Sequence, residues 1–155
     1  MKKILLFLLL NYTLFLSVQA THIVGGELGF KHINNNTYNI NLTLYFDAIN
    51  GNAAALDEQV TLHIFRKNDN HFMRSATLPL LTSDLLIYTN PDCAIAEDLS
   101  TRRLYYEIEV EMLTSEYNAQ SGYYIIWERC CRNKIISNIT LVHDVSTMPF
   151  MASQN

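Results

Sequence analysis

From Thr37 to Asp47 apolar and polar side chains alternate. Tyr38, Ile40, Leu42, Leu44 and Phe46 take one phase, while Asn39, Asn41, Thr43, Tyr45 and Asp47 take the other. Successive side chains on an extended backbone point to opposite faces, so this spacing gathers the five apolar groups on one side of a strand. A helix would scatter them around its circumference. The pattern therefore predicts a half-buried strand over 37–47. The same period recurs from Leu104 to Leu113, where Leu104, Tyr106, Ile108, Val110 and Met112 oppose Glu107, Glu109 and Glu111. It recurs again from Gln59 to Arg66, with Val60, Leu62 and Ile64 against Thr61, His63 and Phe65. Gly122–Glu128 carries the run Tyr123-Tyr124-Ile125-Ile126-Trp127, which suits a central strand covered on both sides. Ile135–His143 reads as a further strand. Weaker candidates are His22–Val24 with Glu27–Phe30, Phe72–Leu78 and Leu85–Tyr88.

Turn residues punctuate these runs: Asn34-Asn35-Asn36, Asn50-Gly51-Asn52, Asn68-Asp69-Asn70, Asn90-Pro91-Asp92 and Ser121-Gly122. Ala53–Leu56 and Ala94–Leu99 could each make one helical turn, and no long helical pattern is present. Gly25-Gly26 reads as a bulge or tight turn where a positive φ is needed. About seven or eight short strands with frequent turns predict an all-β fold, an antiparallel β-sandwich of the immunoglobulin-like kind.

The segment ahead of these strands has a different job. Lys2 and Lys3 precede an apolar run from Ile4 to Val18, and Val18-Gln19-Ala20 offers a small-x-small cleavage site. That order is a secretory signal peptide, with cleavage expected after Ala20. The run is too short and too polar, with Asn11, Tyr12 and Thr13 inside it, to be a spanning helix of about twenty residues. Residues 21–155 are then a single β-sandwich domain, either complete or the N-terminal module of a longer protein, with no stable membrane span. Loss of Lys2 and Lys3 takes the basic count from 11 to 9 against 15 acidic side chains, a formal charge of −6. An acidic chain without basic clusters argues against a nucleic-acid partner. The expected location is extracytoplasmic, at the cell surface or secreted.

Two segments bear a likeness to a known family. One is Thr21-His22-Ile23-Val24-Gly25-Gly26-Glu27-Leu28-Gly29-Phe30, followed by Tyr38 and the strand ending Leu44-Tyr45-Phe46-Asp47. The other is Gly122-Tyr123-Tyr124-Ile125-Ile126-Trp127-Glu128-Arg129-Cys130-Cys131-Arg132-Asn133, then Ile136 and Asn138-Ile139. Together they resemble the N-terminal region of large secreted surface proteins of Bacteroidetes. The resemblance implies an adhesin-like or gliding-associated module. Such proteins often continue into polycystic-kidney-disease-like repeats and end in a gliding-motility-associated C-terminal domain read by type IX secretion. This chain departs from the family in two places. Ala48 stands where the family usually has Cys, and Ala94–Leu104 lacks a second Cys that often follows the position of Cys93.

Cys93, Cys130 and Cys131 are the cysteines of the chain. An oxidising compartment permits disulfides, and an odd count leaves one thiol over. Neighbouring Cys130 and Cys131 lack metal-ligand spacing, so a structural role is expected. A bond from Cys93 to either would close a loop of roughly forty residues, worth about 3–4 kcal/mol. Trp127 is the expected core anchor, and Glu128 is a candidate ion-pair partner for Arg129 or Arg132. Glu107, Glu109 and Glu111 form a ladder along one strand rather than a cage for a cation. No catalytic spacing, cofactor loop or metal motif is found, so a non-enzymatic role without cofactors is expected. The partner would be a protein or a glycan at a surface. Tyr45, Phe65 and Tyr105 fall on the outward phase of their strands and are the candidate surface contacts. They leave a carbohydrate-binding module as the alternative, with a secreted hydrolase behind it.

Overall fold

The alternating segments are strands in the computed structural model, which describes residues 23–53, 56–96, 98–129 and 150–154; for Ala96 and 150–154 only the backbone is described. The elements in chain order are β1 (Ile23–Asn34), β2 (Thr37–Asp47), β3 (Gln59–Arg66), β4 (Phe72–Leu85), α1 (Pro91–Ala96), β5 (Thr101–Glu111), β6 (Tyr123–Arg129) and β7 (Phe150–Gln154). The strand expected over Ile135–His143 lies outside the described residues. The fold is all-β and antiparallel. Its strands form one curled sheet in the order β1-β2-β5-β4-β3-β6-β7, and its edge strands β1 and β7 come back to within 8 Å of each other.

Two strands run longer than their periodicity suggests. In β1, the pieces around Ile23 and Phe30 join through Gly25 and Gly26 into one strand. The ladder to β2 slips between Ile23 and Gly25, so the bulge is present. It needs no positive φ, however: among the described glycines only Gly122 has one, at 80°. In β4, Phe72–Leu78 and the start of the next candidate form one strand across Pro79. Residues Phe72–Pro79 pair with β3, and Leu80–Leu85 pair with β5. The change of partner falls at Pro79, a residue with no N–H to give a ladder. Tyr88 lies beyond the strand, with its hydroxyl donating to Thr101 Oγ1 at 2.7 Å. α1 begins on Pro91 with Asp92 in its first turn, both suited to a helix start, and occupies the connection to β5.

The inward phase makes one continuous core. Ile40, Leu42, Leu44 and Phe46 of β2 meet Leu104, Tyr106 and Val110 of β5, with Val60, Leu62 and Ile64 of β3 and Ala76 and Leu78 of β4. Ile125 and Trp127 of β6 complete it, and Trp127 is 3% exposed. Burial of these side chains at roughly 1.5–3 kcal/mol each is the main favourable term for the fold. β6 differs from the expectation of cover on both sides. Ile125 and Trp127 are buried, while Tyr124 and Ile126 stay half exposed and Glu128 exposed. The strand lies inside a sheet with one face on the core, so every second residue meets solvent even though the run is apolar.

Candidate functional site

The three outward aromatics singled out in the sequence do not come together. Tyr45 and Tyr105 are diagonal neighbours on the outer face of β2 and β5, since Thr43 pairs with Tyr105 and Tyr45 with Arg103. Each phenol is engaged by a carboxylate. Tyr45 Oη donates to Glu27 Oε1 at 2.8 Å, and Tyr105 Oη donates to Glu107 Oε2. These hydrogen bonds are the main reason both phenols are held above their usual pKa, because ionisation would set two negative charges together. Phe65 lies on β3, in the other half of the sheet.

Around Phe65 the fold assembles an aromatic patch. Phe65 stacks on Tyr124 of β6, with ring centroids 5.4 Å apart and planes 17° apart. Phe72 of β4 meets Phe65 edge-on at 5.7 Å and His63 at 6.0 Å. Cross-strand pairing accounts for this grouping: Phe65 is in register with both Phe72 and Tyr124. Phe72 is 49% exposed. Polar groups fix the rim. Tyr124 Oη donates to Asn70 Oδ1 at 3.0 Å, and His63 Nδ1 shares a hydrogen bond with Ser75 Oγ at 3.0 Å. The adjoining β3–β4 turn is held by a forked pair, Arg66 Nε to Asp69 Oδ1 at 3.0 Å and Arg66 Nη2 to Asp69 Oδ2 at 2.6 Å. The guanidinium holds the Asp69 carboxyl well below its ordinary range, at about 2.

A second aromatic group closes one end of the core. Phe30, Tyr38, Met112, Thr114, Tyr117 and Tyr123 line an open cleft of about 160 Å³. Phe30 and Tyr38 are stacked, with centroids 4.9 Å apart and planes 1° apart. Tyr117 meets Tyr123 edge-on at 5.0 Å. Phe30, Tyr38, Met112 and Tyr123 continue the inward phases of β1, β2, β5 and β6, and with Tyr117 of the β5–β6 loop they pack on or into the core beneath. Tyr123 Oη accepts the Ala119 N–H at 3.0 Å, which anchors the β5–β6 loop carrying Tyr117. Burial raises the Tyr117 pKa.

Elsewhere, Arg129 forms its ion pair with Asp57 in the β2–β3 connection. Glu128, the partner suggested by sequence neighbourhood, points the other way on the strand and is exposed. Cys93 is an exposed free thiol on α1, and Cys130 and Cys131 lie outside the described residues. Sequence reasoning missed Phe72 and Tyr124 of the patch, and all four aromatics of the cleft. The Tyr123-Tyr124 doublet was the available signal, because adjacent residues on a strand must serve opposite faces. No protein-family model, curated protein or solved structure matches this chain.

Proposed function

We propose that this protein is a non-catalytic binding module, exported from the cytoplasm and displayed at the cell surface as part of an adhesin-like or gliding-associated system. The observation that carries the reading is the aromatic patch of Phe65, Phe72 and Tyr124 on the solvent face of the sheet. Three contiguous aromatics on the outer face, Phe72 exposed and Phe65 and Tyr124 half-buried, have the character of an interaction surface. Export rests on the signal-like residues 1–20, and surface display on the resemblance of the HIVGGE and WERCCRN segments to secreted surface proteins. The fold in this reading is an immunoglobulin-like sandwich. Strands β1, β2, β5 and the end of β4 correspond to one sheet of that fold, and β3, β6 and β7 to the other. β4 serves both, through its change of partner at Pro79.

Mass spectrometry of the exported protein tests the first half, with a mature start at Thr21 expected. A chain kept in the cytoplasm with residues 1–20 intact overturns it. Adhesion of protein-coated beads to cells tests the second half. Phe65→Ser with Tyr124→Ser should abolish adhesion without unfolding the domain, and undiminished adhesion refutes the role of the patch. A carbohydrate-binding reading is the second one, favoured by the near-parallel rings of Phe65 and Tyr124 and by the aromatic cleft.

A further inference from the structure

We infer that the cleft between Phe30, Tyr38, Tyr117 and Tyr123 is a subsite for one pyranose ring of a neutral glycan. The inference deepens the carbohydrate-binding reading and does not need surface display. Size is the first argument. The cleft holds about 160 Å³; a cavity of roughly 150 Å³ encloses a benzene ring, so the ring of one pyranose fits here with its hydroxyl rim in the open mouth. The cleft is well below the roughly 300 Å³ at which pockets for larger small molecules begin. It is open on one side, so a ring seated there can belong to a longer chain.

Chemistry is the second argument. A pyranose has apolar C–H faces and a rim of hydroxyls. The cleft offers aromatic surfaces from two pairs of rings, on opposite halves of the sheet. It also offers hydroxyls in place of charges. The lining itself contains no Asp, Glu, Lys, Arg or His; Arg74 stands at the rim beside the Tyr117 hydroxyl, with its guanidinium already donating to the Glu111 carbonyl at 3.2 Å. Tyr38 Oη and Thr114 Oγ1 make no hydrogen bond to another described residue. Both stand ready to exchange water for a sugar hydroxyl. Tyr123 Oη already accepts the Ala119 N–H and so keeps its own proton to donate. A preformed cleft spares the ligand much of the ordering cost of binding.

The fit to a single ring sets the expected affinity, a dissociation constant on the order of 1 mM for a short oligosaccharide. The test uses the full exported chain, isotope-labelled, titrated with cellohexaose, laminarihexaose and mannohexaose, and in parallel with oligogalacturonate and a proline-rich peptide. At least one neutral hexasaccharide should shift the resonances of Phe30, Tyr38, Thr114, Tyr117 and Tyr123. Tyr38→Phe combined with Thr114→Val keeps the shape of the cleft and removes two hydroxyls. It should weaken that binding at least tenfold while leaving the melting temperature unchanged. Should the double variant melt early, each single variant is titrated instead, and each should weaken binding on its own. Undiminished binding in these variants overturns the inference, as does preferential binding of oligogalacturonate or of the peptide in the cleft. Sugar-induced shifts confined to Phe65, Phe72 and Tyr124 overturn the cleft as the subsite but leave the carbohydrate-binding reading standing. Absence of shifts with all three neutral sugars overturns both.

Discussion

Tyr106 is fully buried in the middle of β5, and its hydroxyl donates to the Asp57 carbonyl at 2.9 Å, tying the β2–β3 connection to the sheet. Burial pushes its pKa from 10.0 up to about 12, because a phenolate would lose its hydration there. Tyr106→Phe keeps the ring and deletes the hydroxyl. Near neutral pH the variant should be less stable by about 1 kcal/mol, the net worth of one hydrogen bond. Alkali reverses the order. The unfolded phenol ionises near pH 10 and the folded one near 12, so between these values the native state holds a proton that the unfolded state has released. The wild type's stability is therefore intact below pH 10 and falls as pH rises toward 12, by about 2–3 kcal/mol for a shift of this size. The phenylalanine variant lacks this loss, so the two stability curves should cross at about pH 11. Urea unfolding followed by the fluorescence of Trp127, the one tryptophan of the chain, measures both proteins from pH 8 upward. The difference between them cancels the other tyrosines with raised pKa values. Parallel curves would refute the buried-phenol argument. Equal stability at pH 8 would refute the contribution of the Asp57 bond.

Three further outcomes are expected. Arg129→Ala should lower stability by about 1–2 kcal/mol, because the pair with Asp57 is shielded but not sealed from water; an unchanged urea midpoint would show the pair contributes nothing. Arg66→Gln should move the Asp69 carboxyl titration, followed by NMR, from about 2 up toward 3.8. The contribution of that pair to stability is present above the ordinary carboxylate pKa and lost as pH falls toward 2, and a midpoint that stays put would locate the cause elsewhere. Gly51→Ala should cost about 1–3 kcal/mol by thermal melting, since an added Cβ meets the Asp47 carbonyl and the Phe46 ring; a melt equal to wild type would mean the loop moves aside freely.

Much of the fold is legible along the chain. The boundaries of β2 and β3 coincide with their alternating segments because each strand has one face on the core and one in water. β4 was less legible. Pro79 and the exposed apolar residues Leu81 and Leu85 break the alternation, since the strand leaves one partner for another there. The two aromatic clusters were the least legible. Phe65 could be placed on an outward face, but its companions Phe72 and Tyr124 come from strands distant in sequence. Tyr38 reads as one more core residue in its strand. Only its position at the open end of the core makes it a wall of the cleft.

The sequence by itself determines which segments extend and which side chains turn inward, because a period of two is a local property of extended backbone. It also supplies a segment with the marks of an export signal. Only the tertiary structure decides that β2 lies beside β5 and β3 beside β6, that Arg129 finds Asp57, and that the outward aromatics form one patch around Phe65 while Tyr45 and Tyr105 are engaged by carboxylates elsewhere. These outcomes depend on register and on the packing of the whole core at once, and no local pattern encodes them.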